Sequence, residues 1–208
     1  MNSISQVFDA YGNIYRNMLS KFYPSKGSTG FSERNLSVNF AKAYESVNEV
    51  DDQGVYSWFE FQFGNSNNNH IDAVVMNEKL REIYIIEAKR YSNPNKKMTE
   101  VGEDIGRIFD FYDEIKKEND GLSPRINLYK FDKVYGVILA DVWTETGTKI
   151  QIKESYEAGV IDSYSSDSFL NVFSKELGLT RRLDELYYNV QSDILENYFL
   201  VSFLWRVK

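Results

Sequence analysis

Apolar residues first recur at helical intervals. Ile4, Val7, Phe8, Tyr11, Ile14, Met18, Leu19 and Phe22 fall on one side of a 3.6-residue period, which Pro24 and the loop SKGSTG bring to an end. A second helix is expected from Ser32, a good N-cap, with Leu36, Phe40, Ala43, Tyr44 and Val47 turned inward. Residues 1–50 thus read as a helical hairpin. The period then shortens to two. Tyr56–Phe63 alternates, with Phe59, Phe61 and Phe63 on one face and Trp58, Glu60 and Gln62 on the other. His70–Met76 and Arg81–Arg90 are apolar on both faces, as in strands covered on both sides. A helical stripe from Met98 to about Glu118 carries Val101, Ile105, Ile108, Phe109, Tyr112 and Ile115. The strand Lys133–Asp141 follows and closes a βαβ-like unit, so that residues 55–141 form the core. Residues 142–208 are expected to complete it with a helical stretch from about Ser166 and an aromatic strand near Asn197–Val207, whose Trp205 suits a core or a dimer surface. The fold class is α/β, a mixed central sheet flanked by helices, and a chain of 208 residues suits one domain.

Composition narrows the chemistry. The absence of cysteine excludes disulfides, thiolate metal sites and thiol catalysis, and the single histidine, His70, excludes any Ser-His-Asp arrangement that does not use it. A net charge of −7 argues against a polyanion binder held by charge alone, but not against a site that carries its own cations. The longest strongly apolar run, Tyr198–Trp205, is far short of the roughly 20 residues that span a bilayer. The first residues lack the charged head and apolar run of an export signal. A cytoplasmic chain with no membrane association is expected.

The informative residues are charges inside the two buried strands. Asp72 lies in HIDAVV, and Glu87 and Lys89 lie in IIEAKR. Ionised groups there cost several kcal/mol (order of magnitude) unless a partner or a metal compensates. If the strands form a hairpin around Asn77–Glu82, Met76 faces Ile83, Asp72 faces Glu87 and His70 faces Lys89. Side chains two apart share a face, so two carboxylates and an ammonium converge, with the Ala88 carbonyl between them. Hard cations such as Mg²⁺ or Mn²⁺ take oxygen donors of this kind and keep coordinated waters. The second Glu-x-Lys, Glu114-Ile115-Lys116, lies in a helical segment where i and i+2 do not share a face, and it forms no site.

From about Ser32 to Asp141 the chain resembles the PD-(D/E)XK superfamily of restriction-endonuclease-like nucleases. The likeness rests on a helix bearing Glu33, a strand with Glu60, then Asp72, Glu87-Ala88-Lys89, and a following helix and strand. Ile71 stands where that pattern usually has proline. The resemblance implies a restriction-endonuclease-like core and metal-dependent hydrolysis of DNA phosphodiesters, in a defence or mobile-element setting. Asp72 and Glu87 would be the metal ligands, and Lys89 would position or activate the attacking water. Lys89 can serve as a proton acceptor with a lowered pKa or as a charged stabiliser of the transition state.

Supporting candidates each carry two readings. Glu33 either favours its helix dipole or faces inward to complete the metal shell through water, with Glu45 the weaker choice on that helix. Glu60, with Gln62 beside it, faces either the metal or solvent, because one residue of register flips the face. His70 reads as structural. Arg90, Lys96, Lys97 and Arg107 are candidate phosphate contacts, otherwise solvated charges. The expected partners are DNA and a second copy or partner subunit. Two other functions compete: a nuclease-fold binding or regulatory protein without catalysis, and an acidic protein that mimics DNA.

Overall fold

The computed structural model describes residues 4–22, 32–48, 54–64, 69–91, 94–119, 121, 125–143, 186–195 and 198–207. Helices α1 (Ile4–Lys21) and α2 (Glu33–Asn48) precede strands β1 (Val55–Gln62), β2 (His70–Asn77) and β3 (Glu82–Tyr91). Helix α3 (Pro94–Asn119) and a 3-10 turn (Leu128–Lys130) lead to β4 (Lys133–Trp143), and β5 (Leu186–Leu195) and β6 (Tyr198–Arg206) follow. The described strands form one mixed sheet in the order β1-β2-β3-β4-β6-β5, in which only β3 and β4 run parallel. The parallel pair is joined through α3, the βαβ unit expected from the sequence.

Helices cover both faces, which is why β3 and β4 read as continuous apolar runs. On one face α3 packs Val101, Ile105, Ile108, Phe111 and Ile115 onto Ile83, Ile85, Ile138 and Phe203. On the other, α1 and α2 pack Phe8, Tyr11, Tyr15, Phe40 and Tyr44 onto Ala73, Ile86, Ala88, Val137 and Leu139. Full burial of each large apolar side chain contributes roughly 1.5–3 kcal/mol, so these two layers dominate the fold's stability. Trp205 belongs to the core, 2% exposed. It is seated against Gly136, where a Cβ would come within 2.3 Å of its ring.

The structure departs from the sequence reading in three places. Phe61 and Phe63 pack on the α3 side, whereas Phe59 packs on the α1–α2 side. The intervening Glu60 has φ 53°, a left-handed conformation that interrupts strict alternation. Along α3 it is Phe111 that is fully buried, in edge contact with Phe61 and Phe63, while Phe109 and Tyr112 are only partly covered. Residues 186–195, expected within a helical C-terminal part, form strand β5, because pairing with β6 satisfies their backbone and α1 covers their inner side. The helical stretch expected from Ser166 lies outside the described residues. Among the described residues no helix is long and apolar enough to cross a membrane.

Candidate functional site

The β2–β3 turn fixes the site's register. Asn77 Oδ1 accepts the Leu80 N–H at 2.9 Å, and Arg81 adopts φ 56°. Met76 faces Ile83 as the spacing requires, and the ladder continues to Ala73 opposite Ile86. One step further, where Asp72 would face Glu87, the Asp72 carboxylate itself accepts the Ala88 N–H at 2.7 Å. β3 continues beside β4 as far as Tyr91, and among the described strands none pairs with its other edge beyond Ile86. The next N–H on that edge, from Arg90, is donated to Glu33 Oε1 at 2.9 Å. Carboxylates from β2 and α2 thus cap a strand edge where a neighbouring strand would otherwise pair. The N–H and C=O of one strand residue point to the same edge, so the Ala88 carbonyl faces the same opening.

Glu87 and Lys89 lie on the α3 face of β3, and α3 answers with charges of its own. Arg107 donates to Glu87 Oε1 at 2.9 Å and to Asp104 Oδ1 at 3.1 Å. Lys89 Nζ lies 3.1 Å from Asp104 Oδ2 and 3.6 Å from Glu100 Oε2. Glu87 and Asp104 are 3% and 1% exposed, so these are interior charges rather than a solvated face. Asp104 was missed as a site residue, although the sequence held a signal for it. It interrupts the apolar stripe between Val101 and Ile105, where a charge belongs only if something meets it.

The electrostatics follow from crowding. Burial raises the Glu87 pKa well above the ordinary glutamate value and Asp72 adds repulsion, with Arg107 partly offsetting both. Burial also raises Asp72, against the Ala88 N–H and a hydrogen bond shared with Glu87, and Glu60 and Glu33 repel it further. Burial raises Asp104, with Lys89 partly offsetting it. For Lys89, burial lowers the pKa, but Asp104, Glu33 and Glu100 more than compensate, so the ammonium is held above its usual value. A divalent cation relieves the strain of two adjacent carboxylates that resist ionising together. The donor set fits a hard ion: the Asp72 and Glu87 oxygens with the Ala88 carbonyl beside them.

The remaining candidates fall in different places. Glu33 reaches the site through the Arg90 N–H, while Glu45 accepts from Ser57 at 2.8 Å in a separate contact. Glu60 sits in β1 between the register pairs Phe59–Ala73 and Phe61–Ile71, and so beside Asp72. Gln62 is exposed and pairs in register with His70. His70 is not paired with Lys89, because the β2–β3 ladder stops at Ala73–Ile86, and its Nε2 lies 3.5 Å from Glu60 Oε2. Arg90 is in register with Asp141 and near it on the α1–α2 face of the sheet. Arg107 is the candidate that the structure brings to the carboxylates. Lys96 and Lys97 belong to the first turns of α3, where side chains lie outside the described residues. Glu114 pairs with Lys117 on the surface of α3, away from the strands.

No protein-family model matches the chain, and no curated protein or solved structure matches it either. The functional reading therefore stands on these residues and their geometry.

Proposed function

We propose that the chain is a Mg²⁺- or Mn²⁺-dependent hydrolase of DNA phosphodiesters, built on a restriction-endonuclease-like core of the PD-(D/E)XK kind. The observation that carries the reading is the convergence of Asp72 and Glu87 at the point where the β2–β3 ladder stops, with Lys89 on the same strand. Asp72, Glu87 and the Ala88 carbonyl would hold the ion, which when bound neutralises phosphate charge and acidifies a coordinated water. Asp104 holds the Lys89 ammonium beside the opening, where it can stabilise negative charge building on the phosphate. Arg107 fixes the Glu87 carboxylate. Glu33 braces the open edge of β3 through Arg90. Because the chain carries −7, a DNA backbone needs local cations or a second subunit, and a homodimer would supply the two sites of a double-strand cut.

A second reading has its own observation. Glu87 and Lys89 both have partners on α3, as expected of a nuclease-fold binding protein that lacks catalysis. Incubation of supercoiled plasmid and single-stranded DNA with Mg²⁺, Mn²⁺ or EDTA separates the two. Cutting that needs the metal and falls at least about a hundredfold in Lys89→Ala supports hydrolysis. DNA retention without cutting by the wild type supports the binding protein.

A further inference from the structure

Glu60, His70 and Asp72 present one ligand atom each within 4.8 Å of one another, two carboxylate oxygens and an imidazole nitrogen. They come from two adjacent strands, and Glu60 and His70 are about half exposed, so solvent and an ion can reach them. The imidazole distinguishes this group from the oxygen donors of Asp72, Glu87 and Ala88. Mg²⁺ has little preference for imidazole, whereas zinc-class ions bind it strongly, and three protein donors that leave a position for water are a familiar zinc arrangement. Two features of the backbone bring the donors together. The Glu60 kink sets its carboxylate beside β2, and the register pairing of His70 with Gln62 holds the imidazole on the same two-strand ribbon.

We propose that Glu60, His70 and Asp72 form a site for a zinc-class divalent ion, separate in selectivity from the hard-ion position and sharing only Asp72 with it. The ion binds here whether or not the chain cleaves DNA. Its consequence, which rests on the proposed hydrolase reading, is metal selectivity: one position that Mg²⁺ would fill and one from which Mg²⁺ would not displace a zinc-class ion.

The sequence makes the test unusually clean, because the chain has one histidine and no cysteine. The tag-free full chain is titrated with Zn²⁺ in excess Mg²⁺ by calorimetry, while the imidazole nitrogen resonances are followed by NMR. Wild type is expected to bind one Zn²⁺ with a shift of the His70 resonances. His70→Ala and Glu60→Gln should lose at least about tenfold in affinity, as expected when a ligand or its close neighbour is removed. Glu114→Gln, a change to a surface carboxylate of α3 paired with Lys117, should bind as wild type does. Melting curves establish that each variant is folded; both His70 and Glu60 lie near the surface, where such changes have small effects. Absence of Zn²⁺ binding, binding without a His70 shift, or equal loss in Glu114→Gln would overturn the proposal. The hydrolase reading fails separately, on absence of Mg²⁺-dependent cutting while Zn²⁺ still binds at His70.

Discussion

Glu60 and Asp141 show most directly what single residues give up in this fold. A non-glycine residue at φ 53° within a strand costs on the order of 1–2 kcal/mol relative to extended backbone. Glycine does not bear that cost, so Glu60→Gly should be more stable than Glu60→Ala by about 1 kcal/mol in urea unfolding. In an ordinary strand the order is reversed, and that order would contradict the strained assignment. Asp141 is 1% exposed. Around it lie Arg90 on β3, Glu33 on α2, Tyr11 and Tyr15 on α1, Trp143 on β4 and Tyr198 on β6. Burial pushes its pKa up to about 7, with Arg90 partly opposing, against 3.8 for a free aspartate. Between those values the folded chain keeps a proton that the unfolded chain has released. Stability therefore falls as pH rises from about 4 to about 7 and levels off above. At roughly 1.4 kcal/mol per pKa unit the contribution is on the order of a few kcal/mol. Asp141→Asn should remove it, so that its stability relative to wild type climbs across that range in denaturant titrations. A parallel pH profile for both proteins would contradict the assignment.

Elements pack here through close approaches that the sequence shows only as glycines. Gly12 lies in α1, and a Cβ there would come within 1.3 Å of Gln191 Oε1 on β5. The Gln191 amide in turn donates to the Phe8 carbonyl and is buried. Alanine ordinarily strengthens a helix interior by about 1 kcal/mol, but the clash should dominate, and Gly12→Ala is expected to destabilise by about 1–3 kcal/mol. Adding Gln191→Ala should recover much of that loss, whereas no recovery would mean that α1 does not meet β5 at this point. Helices α1 to α3 and strands β1 to β4 and β6 were legible because their apolar periods are long and bounded by turn signals. β5 was not. LYYNVQSDIL has polar residues inside its run, and Gln191 is explained only by its contact with α1. The alternation of β1 was legible except at Glu60, because nothing local marks a glutamate that will be held left-handed by its neighbours.

For the whole molecule, sequence arithmetic reached the centre of the candidate site and stopped at its edge. The hairpin register placed Asp72 opposite Glu87, and the ladder from Asn77–Glu82 to Ala73–Ile86 keeps that count. What it could not give was the opening of the ladder, because the pairing rule assumes that strands continue to pair. It also could not give the crossing of α3 over β3, which delivers Asp104 and Arg107 to Lys89 and Glu87. His70 shows the same limit. Extended past the opening, the register puts it across from Lys89, whereas its partner strand is β1 and its neighbour Glu60. The acidic balance of the chain acquires a local meaning here, since carboxylates outnumber cations around Asp72 and a divalent ion would redress the excess.

Nicking of supercoiled plasmid in Mg²⁺ by wild type and by Glu87→Gln, compared at equal folded fraction, tests the central claim most directly. Glutamine keeps the shape of the side chain and removes the charge that burial and Asp72 oppose, so the fold should persist. The account predicts that wild type nicks, that EDTA abolishes nicking, and that the variant loses at least about a hundredfold in rate, the scale of a missing metal ligand or its immediate support. Equal nicking by both proteins, or none by the wild type, would contradict it.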